Sequence, residues 1–223
     1  MTSKEIYKRF LLEMNKNDSN EGANILVSHF VLLFNTERLR WLSEFFNDDS
    51  DNWKLTTIDN LLEIDMLLKK VKTYEDSVEF EIPSNFFRQS SSFSIADKDN
   101  CKGKKIFNFE KKALGFQTTL ADDFSAPQFD YEETPYVITK KKLRVYFKDF
   151  TIKKAYLSFY REPKPIDISG YIKIDGSEST DLDTDLTDEQ IDSVIERVVK
   201  RVSGKIGDIE KHQIANERIS TEP

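Results

Sequence analysis

The strongest constraint on this chain is a change of hydrophobic period along it. From about residue 73 to 160 the chain reads as strands, in runs whose apolar side chains alternate with polar ones. In SVEFEIP, Val78, Phe80 and Ile82 alternate with acids, and Pro83 stops the run. SSFSIADKDNCKGKKIFNFEKK reads as a hairpin that brings Phe93 and Ile95 toward Ile106, Phe107 and Phe109. Its turn lies where Asn100 and Gly103 tolerate positive φ. FDYEETPYVI, KLRVYFKD and KKAYLSFY are further strands; in the middle one Leu143, Val145 and Phe147 face one way and Arg144, Tyr146 and Lys148 the other. No helix-length crossover separates these runs, so the expectation is a small antiparallel sheet.

Outside this zone the period is helical. Thr2 and Glu5 have capping-box spacing, followed by Ile6, Phe10, Leu11 and Met14 on one face. A second helix over residues 28–46 carries Phe30, Val31, Phe34, Trp41, Leu42 and Phe45. The run LTTIDNLLEIDMLLKKV suits a short helix, a strand or one of each, and residues 58–62 are expected to be helical. Thr187 and Gln190 form another capping box, after which Ile191, Val194, Ile195, Val198, Val202, Ile206 and Ile209 follow a 3–4 spacing. The expected class is α+β: N-terminal helices, a central small antiparallel β domain, a long loop and a C-terminal helix. The corresponding divisions are 1–72, 73–160 and 161–223, with the helices of 1–72 and 187–210 packed together as one domain.

REPKPIDISGYIKIDGSESTD joins the last strand to the C-terminal helix, and it is far longer than the usual connection. Residues 162–192 hold ten acids against two lysines, whereas residues 98–112 hold six lysines against two acids. Such polarity suits head-to-tail contacts between copies and equally suits solvated surface. The net charge of −7 does not favour nonspecific attraction to nucleic acid. The start lacks the apolar core of a signal peptide and no stretch reaches membrane-spanning length, so a soluble cytoplasmic product is expected, with no membrane contact.

Chemistry-bearing patterns are sparse. Cys101 is the single cysteine, which excludes an intrachain disulfide; lysines beside it could activate the thiol, but a solitary thiol in a hairpin turn reads as incidental. His29 and His212 have no evident acid–base partner, and no nucleotide, zinc or nucleophile-elbow motif occurs. Asp181, Asp183, Asp185 and Asp192 resemble calcium-loop positions, but Leu186 stands where the sharp turn needs glycine. The macrodipole of the following helix accounts for these acids without an ion. Lys140, Lys141 and Lys142 before Tyr146 and Phe147 could track a nucleic-acid backbone, although a lysine-edged strand also guards against aggregation. The expectation is no catalysis, no cofactor and no metal.

Several stretches, taken in order, resemble one family. FVLLFNTERLRWL, LLKKVKTYEDSVEFEIPSNFF, FDYEETPYVI, KLRVYFKDFTIKKAYLSFYREPKPIDISGYIKIDGSEST and the DLTDEQID helix start are similar to the virion neck proteins of crAss-like bacteriophages. The most specific part is YREPKPIDISGYIKIDGSEST followed by the capped helix. The resemblance implies a structural, tail-adaptor-like subunit of the head-to-tail connector. It would form a ring, commonly dodecameric, that links the portal to the tail and lines the DNA exit path. Its partners would be further copies, the portal protein and other neck or tail ring proteins, with only nonspecific proximity to phage DNA. Its place would be the virion, after assembly in the host cytoplasm.

On that reading the long loop lies against a neighbouring subunit or ring. Its expected contacts are Pro163, Pro165, Ile166, Ile168, Tyr171, Ile172 and Ile174, the prolines stiffening its start. The polar tail, with Ile209, Ile214, Arg218 and Ile219, is expected to dock on the portal or a neighbour. Two other classes remain open at this point. One is a nucleic-acid-binding accessory protein that uses the lysine-rich strands; the other is a host-facing tail component that binds a cell-surface glycan.

Overall fold

The computed structural model describes residues 1–15, 25–46, 52–111, 126–139 and 141–206. They belong to two units. The helical unit comprises Met1–Asn60 and the chain from Pro163 onward; the β unit is Leu61–Glu162.

Helix α1 (Ser3–Asn15) starts at the expected reciprocal cap. The Thr2 N–H donates to Glu5 Oε2 at 2.7 Å, and the Glu5 N–H donates to Thr2 Oγ1 at 3.4 Å. Ile6, Phe10 and Met14 are buried, one helical turn apart. Helix α2 (Val27–Glu44) buries Phe30, Val31, Phe34, Trp41 and Leu42, and Phe10 stacks on Phe30 with ring centroids 4.8 Å apart. Helix α3 (Asp188–Ile206) packs against both. Its cap repeats that of α1: the Thr187 N–H donates to Gln190 Oε1 at 2.9 Å, and the Gln190 N–H donates to Thr187 Oγ1 at 3.4 Å. Ile191, Val194, Ile195, Val198, Val199 and Val202 form its buried stripe, each worth roughly 1.5–3 kcal/mol relative to exposure.

After a 3-10 segment, Asn52–Leu61, the chain turns to strands. The ambiguous run is thus one of each: β1 (Leu62–Leu67) and β2 (Lys69–Thr73) stand where periodicity does not choose. Tertiary pairing decides, because β1 has β8 as a partner and β2 has β3. The others are β3 (Ser77–Glu81), β4 (Phe86–Lys98), β5 (Cys101–Glu110), β6 (Glu133–Thr139), β7 (Lys142–Tyr146) and β8 (Thr151–Arg161). Their order is β1-β8-β4-β5-β6-β7-β3-β2. All neighbours are antiparallel except β5 and β6, which run parallel with Phe107 opposite Glu133.

This order dictates the curvature. β1 and β2 lie at opposite ends of the sheet, yet only Leu68 separates them in the chain. Consecutive Cα atoms are about 3.8 Å apart, so the sheet curls into a half-barrel until its two edges meet at Leu68. That corner is fastened, since the Leu68 N–H donates to the Ala155 carbonyl at 2.9 Å.

Inside the curl lie Val78, Phe80, Ile106, Tyr136, Leu143, Val145, Leu157 and Phe159. The expected hairpin forms, with Phe93 opposite Phe107; Asp99 rather than Asn100 takes positive φ at the turn, together with Gly103. A polar chain also runs through the interior. Asn108 Nδ2 donates to Ser92 Oγ at 2.8 Å, Ser94 Oγ donates to Asn108 Oδ1 at 3.0 Å, and Ser92 Oγ donates to the Tyr156 carbonyl at 2.9 Å. The Tyr136 hydroxyl differs, being buried with no hydrogen-bond partner among the described residues, and burial pushes its pKa up.

Glu79 departs from the simple alternation that places the acids of β3 in solvent. It is buried, because Arg144 and Lys142 of β7 cover it. Arg144, its direct cross-strand partner, bonds it through both Nε and Nη2, and the guanidinium also lies 4.7 Å over the Tyr74 ring. The Arg144 hydrogen bond outweighs burial and lowers the Glu79 pKa.

Candidate interaction site

The long connection is an ordered strap, built by side chains as much as by backbone. Asn35 on α2 grips Ile166 twice: its Nδ2 donates to the Ile166 carbonyl at 2.8 Å, and its Oδ1 accepts the Ile166 N–H at 2.9 Å. Asp167 and Leu182 exchange backbone hydrogen bonds of 3.0 Å in each direction. The Lys164 N–H donates to Asp185 Oδ1 at 2.8 Å, and Thr184 Oγ1 donates to the Lys164 carbonyl at 2.8 Å. The strap therefore doubles back on itself. Its far end is a turn, with the Gly176 N–H donating to the Lys173 carbonyl at 3.0 Å. Gly176 sits at φ +82°, a conformation that strains residues with a Cβ.

Asp167 is the hub. Its carboxylate accepts the Ile168 and Thr180 N–H groups at 3.0 Å each, the Tyr171 hydroxyl at 2.7 Å and Lys173 Nζ at 2.8 Å. Burial alone would raise its pKa; the Lys173 contact and the hydrogen bonds outweigh it and hold the carboxyl down to about 2. Burial and the adjacent carboxylate push Tyr171 up to about 12.

The acidic run meets separate protein donors rather than a common centre. Asp181 accepts Lys4 Nζ at 2.6 Å and the Ser169 N–H at 2.8 Å, which hold its carboxyl down to about 2. Asp183 accepts the Ser3 N–H at 2.6 Å, a donor in the first turn of α1 that has no partner within the helix. Asp192 pairs with Arg9 at 2.6 Å. Among the described residues no group of three or more His, Cys, Asp or Glu side chains is arranged to hold a metal ion.

The expected contact residues of the strap divide by exposure. Pro163, Ile166 and Ile168 are buried within the chain itself, so their apolar surface is already used. Tyr171 is half-buried over Asp167, and Pro165 is exposed. Ile172 and Ile174, flanking Lys173 at the tip, are 74% and 100% exposed. Ile209, Ile214, Arg218 and Ile219 lie outside the described residues, as do His212 and Lys140.

No protein-family model matches this chain, and no curated protein matches it.

The β unit contributes a second surface. Ile106 and Asn108 of β5 point into the half-barrel, so Lys105, Phe107, Phe109 and Lys111 point outward. Beside them Phe93 and Tyr156 stack at 4.7 Å, and Lys105 Nζ lies 3.9 Å from the Phe93 ring centroid and 5.3 Å from that of Phe107. Lys111 covers Phe109 at 5.5 Å. The sequence carries the signal in the phase of its alternation: Lys105, Phe107 and Phe109 share one parity of β5, while Ile106 and Asn108 take the other together with Lys102 and Lys104. Period alone cannot tell which parity faces the core.

Other lysines are engaged elsewhere. Lys142 bonds Glu79 at 3.1 Å, Lys104 pairs with Glu132 at 3.4 Å, and Lys98 pairs with Asp149. Cys101 is exposed beside the hairpin turn, and His29 is exposed on α2.

Proposed function

We propose that this chain is a structural subunit of the virion neck of a crAss-like bacteriophage, a connector that joins portal to tail and works by forming a ring. On this reading it performs no catalysis and needs no cofactor. The observation that carries the reading is the strap. A solvated loop has no need of a buried carboxylate hub, a side-chain grip from α2 and a glycine turn, all ending in two exposed isoleucines. The tip is held in one shape, so another molecule binding it meets a smaller ordering cost. A tip on one side of a subunit suits the heterologous contacts from which closed rings are built.

The test is molar mass by light scattering, for the purified chain alone and with the phage portal protein. The expected result is a discrete multiple of the subunit mass, or a stoichiometric complex on the portal ring. A chain that stays monomeric, ignores the portal and is missing from virions is no connector.

A further inference from the structure

The strap tip and the outer face of the sheet are complementary in chemistry and charge. The tip offers two exposed aliphatic side chains, Ile172 and Ile174, followed by Asp175 and Glu178. The face offers a flat aromatic surface, Phe93, Phe107 and Tyr156, edged by Lys105 and Lys154, each of which stands opposite Ile95 in the strand register. Phe107 is 55% exposed. Ile172, Ile174 and Phe107 are exposed in the single chain, and Phe93 and Tyr156 are half-buried.

Resting on the connector reading above, we infer that the strap tip of one copy seats on the aromatic–lysine face of the next copy's β unit. The isoleucines cover the rings, while Asp175 and Glu178 meet Lys105 and Lys154. Because the two surfaces differ, each subunit both gives a tip and receives one. That is a heterologous contact, which closes into a ring if the rotation between copies permits.

A single-stranded nucleic acid is the rival occupant, since bases stack on rings and phosphates pair with lysines. One observation favours the protein tip: the exposed Ile172 and Ile174 need an apolar partner, which the rings supply and a sugar–phosphate backbone does not use.

The experiment uses full-length chains in a Cys101→Ser background, one carrying Ile174→Cys and the other Phe107→Cys. Both sites are exposed, so folding is expected to survive. The two are mixed under mild oxidation, with and without portal rings, and disulfide-linked pairs are read on non-reducing gels. The expected result is a mixed disulfide at least tenfold above that of Ile174→Cys with a control, Glu75→Cys, on an exposed turn. Adding Lys105→Glu and Lys154→Glu to the receiving chain should abolish it. Adding Asp175→Lys and Glu178→Lys to the giving chain should restore it.

A mixed disulfide no stronger than the control, with and without portal, overturns the inference. If rings still form in that case, the connector reading stands and only the contact is wrong. If the chain neither assembles nor joins the portal, the connector reading fails as well. Binding of labelled oligothymidylate that Lys105→Glu abolishes, without the mixed disulfide, assigns the face to nucleic acid and likewise overturns the inference.

Discussion

Asp167 draws two backbone N–H groups, a phenol and an ammonium onto one buried carboxylate. Its unfolded carboxyl titrates near 3.8 and its folded one near 2. The stability it contributes is therefore complete above about pH 5 and lost as pH falls toward 2, a difference of roughly 2 kcal/mol. Asp167→Asn should lower stability by about 1–3 kcal/mol at neutral pH and flatten the acid side of the profile. Urea melts across pH 2–6 check both; an unchanged acid slope would remove Asp167 from this role. Tyr136→Phe should act in the opposite direction, because it deletes a buried hydroxyl that has no partner among the described residues. A gain of about 1 kcal/mol is expected, and a lower melting temperature would mean that the hydroxyl is bonded after all. Both capping boxes could be read from residue spacing alone, since their partners lie three positions apart. Asp167 could not: its bonds depend on where the loop returns, thirteen residues later, at Thr180. The burial of Glu79 is illegible for a related reason, as alternation assigns it to solvent while Arg144, far along the chain, covers it.

At the scale of elements, helix α3 and the strap make separable predictions. Ile195→Ala empties a fully packed position on α3 and should cost about 2–4 kcal/mol, visible as a lowered denaturant midpoint. Replacing Ile172 and Ile174 with serine, with Lys173 left in place on Asp167, should change stability by less than about 1 kcal/mol, because the two isoleucines contribute little buried surface to the chain itself. The same replacement should abolish ring or portal assembly. If assembly survives, the tip is not the contact. A cut from residue 167 to 180 would be a poorer test, since it also removes Ile168 and the hub. Strands β3 to β8 were legible as alternating runs, and α1 to α3 as amphipathic stripes. Strands β1 and β2 were not, because the leucine-rich run that encodes them fits either period and only the pairing with β8 and β3 settles it.

At the scale of the whole molecule, the α+β class was legible, whereas the closure of the sheet was not. Strand order is a long-range property, and nothing local in LLEIDMLLKKV states that its two halves stand on opposite edges. The interaction surfaces were half legible. The strap stood out by its length, but which of its apolar residues remain free depends on the grip of Asn35 and on the packing of Ile166 and Ile168. The outward parity of Phe107 and Phe109 likewise needs the curl to define an inside.

The register of β1 with β8 also has an evolutionary meaning. Leu62 is the strand partner of Tyr160, so the chain enters and leaves the β unit at points roughly 5 Å apart. A module with adjoining ends can be removed or exchanged without stretching its host. Joining Asn60 to Pro163 through a few glycines should leave a helical protein that folds alone, with α1, α2, α3 and the strap intact. Related chains could then keep the helical frame as common hardware and swap the half-barrel as an interchangeable fitting.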